Sequence, residues 1–237
     1  MTYLQLQNTS LVAKSYPLQN RTGTEIFERL YSQEKIATLL ESPFPTPTDY
    51  PHLSRYSICG GAPITINGKL QLYTPSLGKV LPFLQSLLSE VTTSNPEIDH
   101  LPFTGGWLGW LSYDLAWEIE TLPQINPDRL PFPVAYWYQP ETFAVLDHQE
   151  QILWLFAPSD EQLENLKTKL NTQSPSLPSL LFSQSPQSPL SSITYLTPQE
   201  DYETAVRKAK QHIKAGDIFQ ANLSLRFETT TNADSWR

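Results

Sequence analysis

Two periods of apolar residues divide most of the chain into elements. Ile26, Phe27, Leu30 and Tyr31 fall at helical intervals behind Thr22-Gly-Thr-Glu25, which has the spacing of a capping box. A short amphipathic helix is therefore predicted from there to about Glu34. The apolar run 36–42 stops at Pro43, Pro45 and Pro47 and predicts a strand entering the core. Segments 54–58 and 64–66 read as further strands. Asn67-Gly68 between 64–66 and 70–73 is a hairpin signal. Val80, Leu84, Leu87, Leu88 and Val91 form a helical stripe, with Pro82 tolerated only in its first turn. The stretch 105–113 is aromatic and punctuated by glycine, which inside a strand marks a bulge or a close backbone approach. Strands are predicted at 134–138, 143–146 and 151–156, the last two joined across Asp147-His-Gln-Glu150. Ser159-Asp-Glu-Gln162 is a second capping box, followed by a helix with Leu163, Leu166 and Leu170 on its apolar face. Strands mixed with helices, without strict alternation, indicate an α+β fold with antiparallel, sandwich-like sheets and flanking helices.

Residues 174–189 are rich in serine and proline, nearly uncharged and aperiodic, so they read as a linker. Three parts are expected: a domain over 1–172, a linker over 173–192 and the start of a second domain over 193–237. In the last part, Thr197-Pro-Gln-Glu200 has the features of a capped helix start. Tyr202, Ala205, Val206, Ala209 and Ile213 make its apolar stripe, Arg207, Lys208, Lys210 and Lys214 gather toward its C-terminal end, and Gly216 stops it. A strand of strict alternation follows over 219–227. Phe219, Ala221, Leu223, Leu225 and Phe227 take one face, and Gln220, Asn222, Ser224 and Arg226 take the other, which is expected to face solvent. The apolar face needs a partner layer, and Asp234 or Ser235 looks like the N-cap of a new helix where the sequence stops. The chain is expected to be a fragment of a longer protein, because its local signals point to a neighbour it does not supply.

Composition narrows the class without naming a chemistry. The 237 residues carry 16 basic and 24 acidic side chains, a net charge of −8 that opposes nonspecific binding to nucleic acid or anionic membranes. No apolar run approaches the roughly 20 residues of a membrane span. The N-terminus has neither the basic leader nor the apolar stretch of a secretory signal. Cys59 stands alone, which rules out an internal disulfide framework and suits a reducing, cytoplasmic setting. His52, His100, His148 and His212 show no metal spacing and read as ordinary surface or turn histidines. Gly105-Gly106-x-x-Gly109 lacks the Lys-Ser/Thr of a phosphate loop, so sheet packing is the better reading. Arg55 reads equally as a carboxylate binder or as an ion-pair partner.

The segment 202–227, with its Ala-Gly-Asp-Ile-Phe-Gln-x-x-Leu-Ser-x-Arg-Phe pattern, resembles the opening of the chorismate-binding domain of anthranilate synthase and aminodeoxychorismate synthase large subunits. Leu101-Pro-Phe-Thr-Gly-Gly-Trp-Leu-Gly-Trp-Leu-Ser-Tyr-Asp114, followed by Glu120-Thr-Leu-Pro123, is similar to their N-terminal signature. Leu39-Leu-Glu-Ser42 and Ser54-Arg-Tyr-Ser-Ile58 fall in the family's order. The resemblance runs from about residue 20 to the end. It implies a parent that aminates chorismate with ammonia from a glutamine amidotransferase subunit, in p-aminobenzoate or tryptophan biosynthesis, with magnesium holding the substrate carboxylate. Ala221-Asn222-Leu223 and Ser54-Arg55 lean toward the aminodeoxychorismate branch, and Glu41 toward the anthranilate branch. The family's metal ligands and acid/base residues match no position here, so no catalytic or metal-binding residue is assigned and the chain alone is expected to be non-catalytic. The resemblance also implies a partial tryptophan pocket from Leu40, Glu41, Ser42, Arg55 and Tyr56. There Ser42 and nearby backbone groups would hold the ammonium and carboxylate, Glu41 would pair the ammonium, and Leu40 and Tyr56 would flank the indole. A different class remains open: a stand-alone tryptophan-binding or amidotransferase-docking module.

Overall fold

The computed structural model describes residues 11–42, 51–88, 98–123, 132–172 and 193–230. Several sequence expectations fall outside them: the prolines at 43, 45 and 47, Val91 of the helical stripe, the Ser/Pro-rich linker and the helix start near Asp234. The chain divides into two compact units, Met1–Pro175 and Ser176–Arg237.

The first unit begins with strand β1 (Val12–Pro17), helix α1 (Gly23–Tyr31) and strand β2 (Thr38–Glu41). A 3-10 turn at Pro51–Ser54 leads into β3 (Tyr56–Gly60). The short strands β4 (Thr65–Ile66), β5 (Lys69–Leu70) and β6 (Leu72–Tyr73) precede helix α2 (Val80–Leu88). Then come β7 (Leu108–Leu111), the single-turn helix α3 (Ala116–Ile119), β8 (Ala135–Tyr138), β9 (Phe143–Asp147), β10 (Ile152–Ala157) and helix α4 (Asp160–Asn171).

Five strands form an antiparallel sheet in the order β1-β10-β9-β3-β2. The centre strand β9 is buried at all five positions, which is why Phe-Ala-Val-Leu reads as a continuous apolar run. Strand alternation sorts the side chains into two cores. Cys59, Ala144, Leu146, Leu153 and Leu155 face Ile26, Phe27 and Leu30 of α1 and Leu163, Leu166 and Leu170 of α4. Phe143, Val145 and Phe156 face the other way, with Leu101, Phe103 and Tyr56 against them. Phe143 and Phe156 stack at 4.3 Å. On the first face the expected sandwich-like packing is thus helix on sheet: the stripes of α1 and α4 need an apolar layer, and this face supplies it.

The helix ends follow from local chemistry. Thr22 and Glu25 form the expected reciprocal capping box, with bonds of 3.1 and 2.9 Å. Ser159 caps α4 by accepting from Gln162 N, but the Gln162 side chain donates to Glu141 instead of reaching back, so that box is half made. Arg29 donates to the Leu170 carbonyl at 3.0 Å and puts a cation at the C-terminal end of α4. Helix α2 is capped from elsewhere in the chain: the Glu118 carboxylate accepts from Gly78 N, Val80 N and Leu81 N.

The expected hairpin is present. β4 pairs with β5 across Asn67 and Gly68, both at positive φ as a type I′ turn requires. A second sheet runs β6-β8-β7, and at Gly109 in β7 a Cβ would overlap the Tyr136 carbonyl oxygen of β8. Glycine there is a close backbone approach. Tyr138 of β8 donates to Thr38 Oγ1 of β2 at 2.9 Å and ties this sheet to the edge of the larger one.

The second unit contains β11 (Thr194–Tyr195), helix α5 (Gln199–Ala215) and β12 (Phe227–Glu228), with β11 and β12 paired antiparallel. Helix α5 ends as expected at Gly216, at φ 84°, with Asp217 N returning to the His212 carbonyl. Two expectations are corrected. Thr197 does not cap α5, because Pro198 occupies the cap position and Thr197 falls one residue too early. The strand over 219–227 is reduced to Phe227–Glu228. Residues 219–226 are exposed throughout, and among the described residues a backbone bond from a neighbouring segment reaches only their last member, Leu196 N to the Arg226 carbonyl at 2.9 Å; an extended segment becomes a strand only where a neighbour exchanges backbone hydrogen bonds with it.

Candidate functional site

The residues singled out from the sequence meet where β2 ends and β3 begins. The chain leaves β2 at Glu41 and returns through the turn before Tyr56. Ser42 bridges the gap by donating from Oγ to the Leu53 carbonyl at 2.8 Å. The pairing Leu40↔Ile58 and Glu41↔Ser57, with Tyr56↔Asp147 beyond it, then decides which side each residue takes. Leu40 and Tyr56 lie on one face and Glu41 on the other. Leu40 is 45% exposed. A ligand touching all of these residues would have to sit over the end of β2 rather than on either face.

On the α1 side, Glu41 is already engaged. Its Oε1 accepts from Gly23 N at 2.6 Å and from Ser57 Oγ at 3.3 Å, and its Oε2 accepts from Thr24 Oγ1 at 2.9 Å. The carboxylate thus sits at the N-terminus of α1, where free N–H groups and the helix dipole favour an anion. Gly23 makes this possible: a Cβ there would lie 2.6 Å from Glu41 Oε1 and 2.9 Å from Ser57 Cβ. The sequence showed the capping box on either side of Gly23 but gave no reason for the glycine itself.

Ser57 also lies 2.7 Å from His148 Nε2. Burial holds the His148 imidazole below its ordinary pKa, against the opposing pull of Glu41 and Asp147. A serine, a histidine and a carboxylate in contact resemble a hydrolytic triad in composition only. Here the carboxylate meets the serine and not the histidine, and Ser57 is 1% exposed, so its hydroxyl has no path to a substrate. His148 was read from the sequence as an ordinary turn histidine. It is in a turn, but it is also part of this cluster, and no sequence spacing links it to Glu41 or Ser57.

On the opposite face Arg55 is committed to an ion pair. Its Nε and Nη2 donate to Asp147 Oδ2 at 3.0 and 2.7 Å, while Asp147 Oδ1 accepts from Gln149 N and Glu150 N, each at 3.0 Å. Burial of Asp147 opposes its ionisation, but Arg55 and the two amides outweigh it and hold the carboxyl below its usual range. The guanidinium also lies 4.9 Å over the Tyr56 ring. Of the two readings left open for Arg55, the structure shows the ion pair.

Comparison with known proteins assigns the architecture. The pattern of the family described as chorismate binding enzyme matches residues 55–237. An anthranilate synthase component I-like protein of Synechocystis sp. is 50% identical over 228 residues, covering 93% of this chain and 44% of its own length. Aminodeoxychorismate synthase component 1 of Bacillus subtilis is 33% identical over 231 residues, covering 90% of this chain and 46% of its own. The crystal structure of anthranilate synthase component I from Streptococcus pneumoniae superposes with a TM-score of 0.50 at 24% identity, over 92% of this chain and 49% of that one. The chain therefore spans about half the length of the relatives it matches.

Proposed function

Because this chain belongs to the chorismate-binding enzyme family, whose relatives carry the names of both anthranilate synthase and aminodeoxychorismate synthase, we propose that it provides the N-terminal half of a chorismate-aminating large subunit. In this reading ammonia comes from a glutamine amidotransferase partner, and the chemistry depends on residues beyond those present here. The observation that carries it is the alignment: about nine-tenths of this chain matches less than half of each full-length synthase. Among the described residues no three His, Cys, Asp or Glu side chains stand close enough to hold a metal; in this reading the magnesium would be held by residues outside this chain.

A fusion experiment tests this. The chain is expressed alone, and also fused to the C-terminal half of the Synechocystis relative. Each preparation is given chorismate with an ammonium salt, and products are separated by chromatography. The fusion is expected to consume chorismate in an ammonia-dependent reaction, the product identifying the branch, and the chain alone is expected to be inert. Turnover by the chain alone, or a folded fusion that leaves chorismate untouched, overturns the reading.

The end of β2 is our proposed half-site for an indole amino acid. Leu40 and Tyr56 would flank the ring, and Ser42 with the lone pairs left on Glu41 would meet the ammonium. Arg55 would contribute by orienting Tyr56, since its Nε and Nη2 are committed to Asp147. Calorimetric titration of the fusion with tryptophan checks this, and absence of heat at millimolar ligand removes it.

A further inference from the structure

The Ser57 hydroxyl has one proton and two acceptors competing for it. Glu41 Oε1 lies 3.3 Å away and, as a carboxylate, only accepts. His148 Nε2 lies 2.7 Å away and either donates or accepts according to its protonation. When Nε2 is bare, Ser57 donates to it and Glu41 keeps only Gly23 N and Thr24 Oγ1. When Nε2 carries a proton, Ser57 accepts from the imidazole and its own proton turns to Glu41. We propose that His148 is a proton-responsive positioning residue for Glu41, acting through Ser57 to set how firmly that carboxylate is held at the N-terminus of α1.

The proposal rests on geometry and stands apart from the assignment of the parent enzyme. Ser57 is 1% exposed, so water does not compete for its proton. Glu41 is on β2, Ser57 on β3 and His148 directly follows β9, so the relay crosses three adjacent strands of the sheet. Among the described residues, the ionisable groups facing the imidazole are Glu41 from β2 and Asp147 from β9, both of which favour the cation. Arg55, before β3, turns its guanidinium to Asp147, while its carbonyl accepts from His148 N at 2.8 Å and fixes the ring's backbone. The imidazolium always carries a proton on Nε2, so acidification makes the second arrangement obligatory and Glu41 gains its third donor. Burial of the ring puts this change below the ordinary imidazole value of about 6.5.

The Gly23 amide, which donates to Glu41 at 2.6 Å, is the reporter. Nuclear magnetic resonance of the full chain, labelled with nitrogen-15, follows the Gly23 amide and the imidazole nitrogens between pH 4.5 and 8, a window chosen to bracket the imidazole range. The expected result is a step in the Gly23 shift at the midpoint of His148, present in the wild type and lost in His148→Gln. In Ser57→Ala, His148 should still titrate while Gly23 no longer follows it. A Gly23 step that survives Ser57→Ala unchanged means that the histidine charge acts through space and overturns the relay. So does a wild-type Gly23 amide that ignores the His148 midpoint. If Ser57→Ala does not fold, Ser57→Thr, which keeps the hydroxyl, should retain the step and Ser57→Cys, a weak donor, should diminish it. Equal steps in those two overturn the proposal as well.

Discussion

Replacing Asp147 by asparagine preserves shape and removes one charge. Oδ1 keeps its two backbone donors at Gln149 and Glu150, because the amide oxygen can take that place. The new NH2 group then stands where Oδ2 accepted from Arg55 at 3.0 and 2.7 Å, so donors face donors at a side chain only 3% exposed, and Arg55 keeps only the 3.1 Å contact of its Nε with Oδ1. A hydrogen bond to a charged group contributes about 1.5–3 kcal/mol, and water recovers part of the loss on the Arg55 side. The expected cost of Asp147→Asn is therefore about 2–3 kcal/mol at pH 7, read from urea unfolding followed by tryptophan fluorescence. The pH dependence is a second check. The folded pKa of Asp147 lies below its unfolded value, so its contribution is fully present above about pH 4 and is lost as pH falls through the folded value. The gap between wild type and variant should close with acid. A gap under about 1 kcal/mol at neutral pH, or one that stays constant down to pH 3, would refute the assignment of Asp147 as the ionised anchor of Arg55.

Two further outcomes follow from packing. Gly109→Ala forces a methyl onto the Tyr136 carbonyl and should cost about 3 kcal/mol, whereas Gly78→Ala, which meets nothing within 4 Å but keeps a positive φ, should cost about 1–2 kcal/mol; equal thermal shifts in the two would contradict the close β7–β8 approach. Cys59 is fully buried and burial pushes its thiol pKa up, so it should resist alkylation at pH 8 in the native protein and react at once in urea; rapid labelling of folded protein would place it elsewhere.

Much of the first unit was legible because its elements are specified by local chemistry and by one buried face. Thr22 and Glu25 announced α1, Leu163, Leu166 and Leu170 announced α4, and Asn67-Gly68 announced the β4–β5 turn. The candidate site was legible only as a place. Leu40, Glu41 and Ser42 stand at the end of β2 and Arg55 and Tyr56 at the start of β3, but what each side chain touches depends on residues far along the chain. Asp147 takes Arg55 from 92 positions away, and His148 reaches Ser57 from 91. No periodicity or spacing rule connects such partners, because the contact is created by strand register.

The second unit shows the complementary limit. The alternation from Phe219 to Phe227 is real in the sequence, yet Phe219 is fully exposed and only the last residues pair. Alternation encodes a preference for a half-buried surface; it cannot state whether a neighbouring strand is present to satisfy the backbone. Caps, turns and apolar stripes were thus determined within a few residues by intrinsic geometry. Which face of β2 each site residue takes, which carboxylate fills a helix N-terminus and which histidine meets Ser57 were decided by antiparallel register, which brings distant side chains within hydrogen-bond reach.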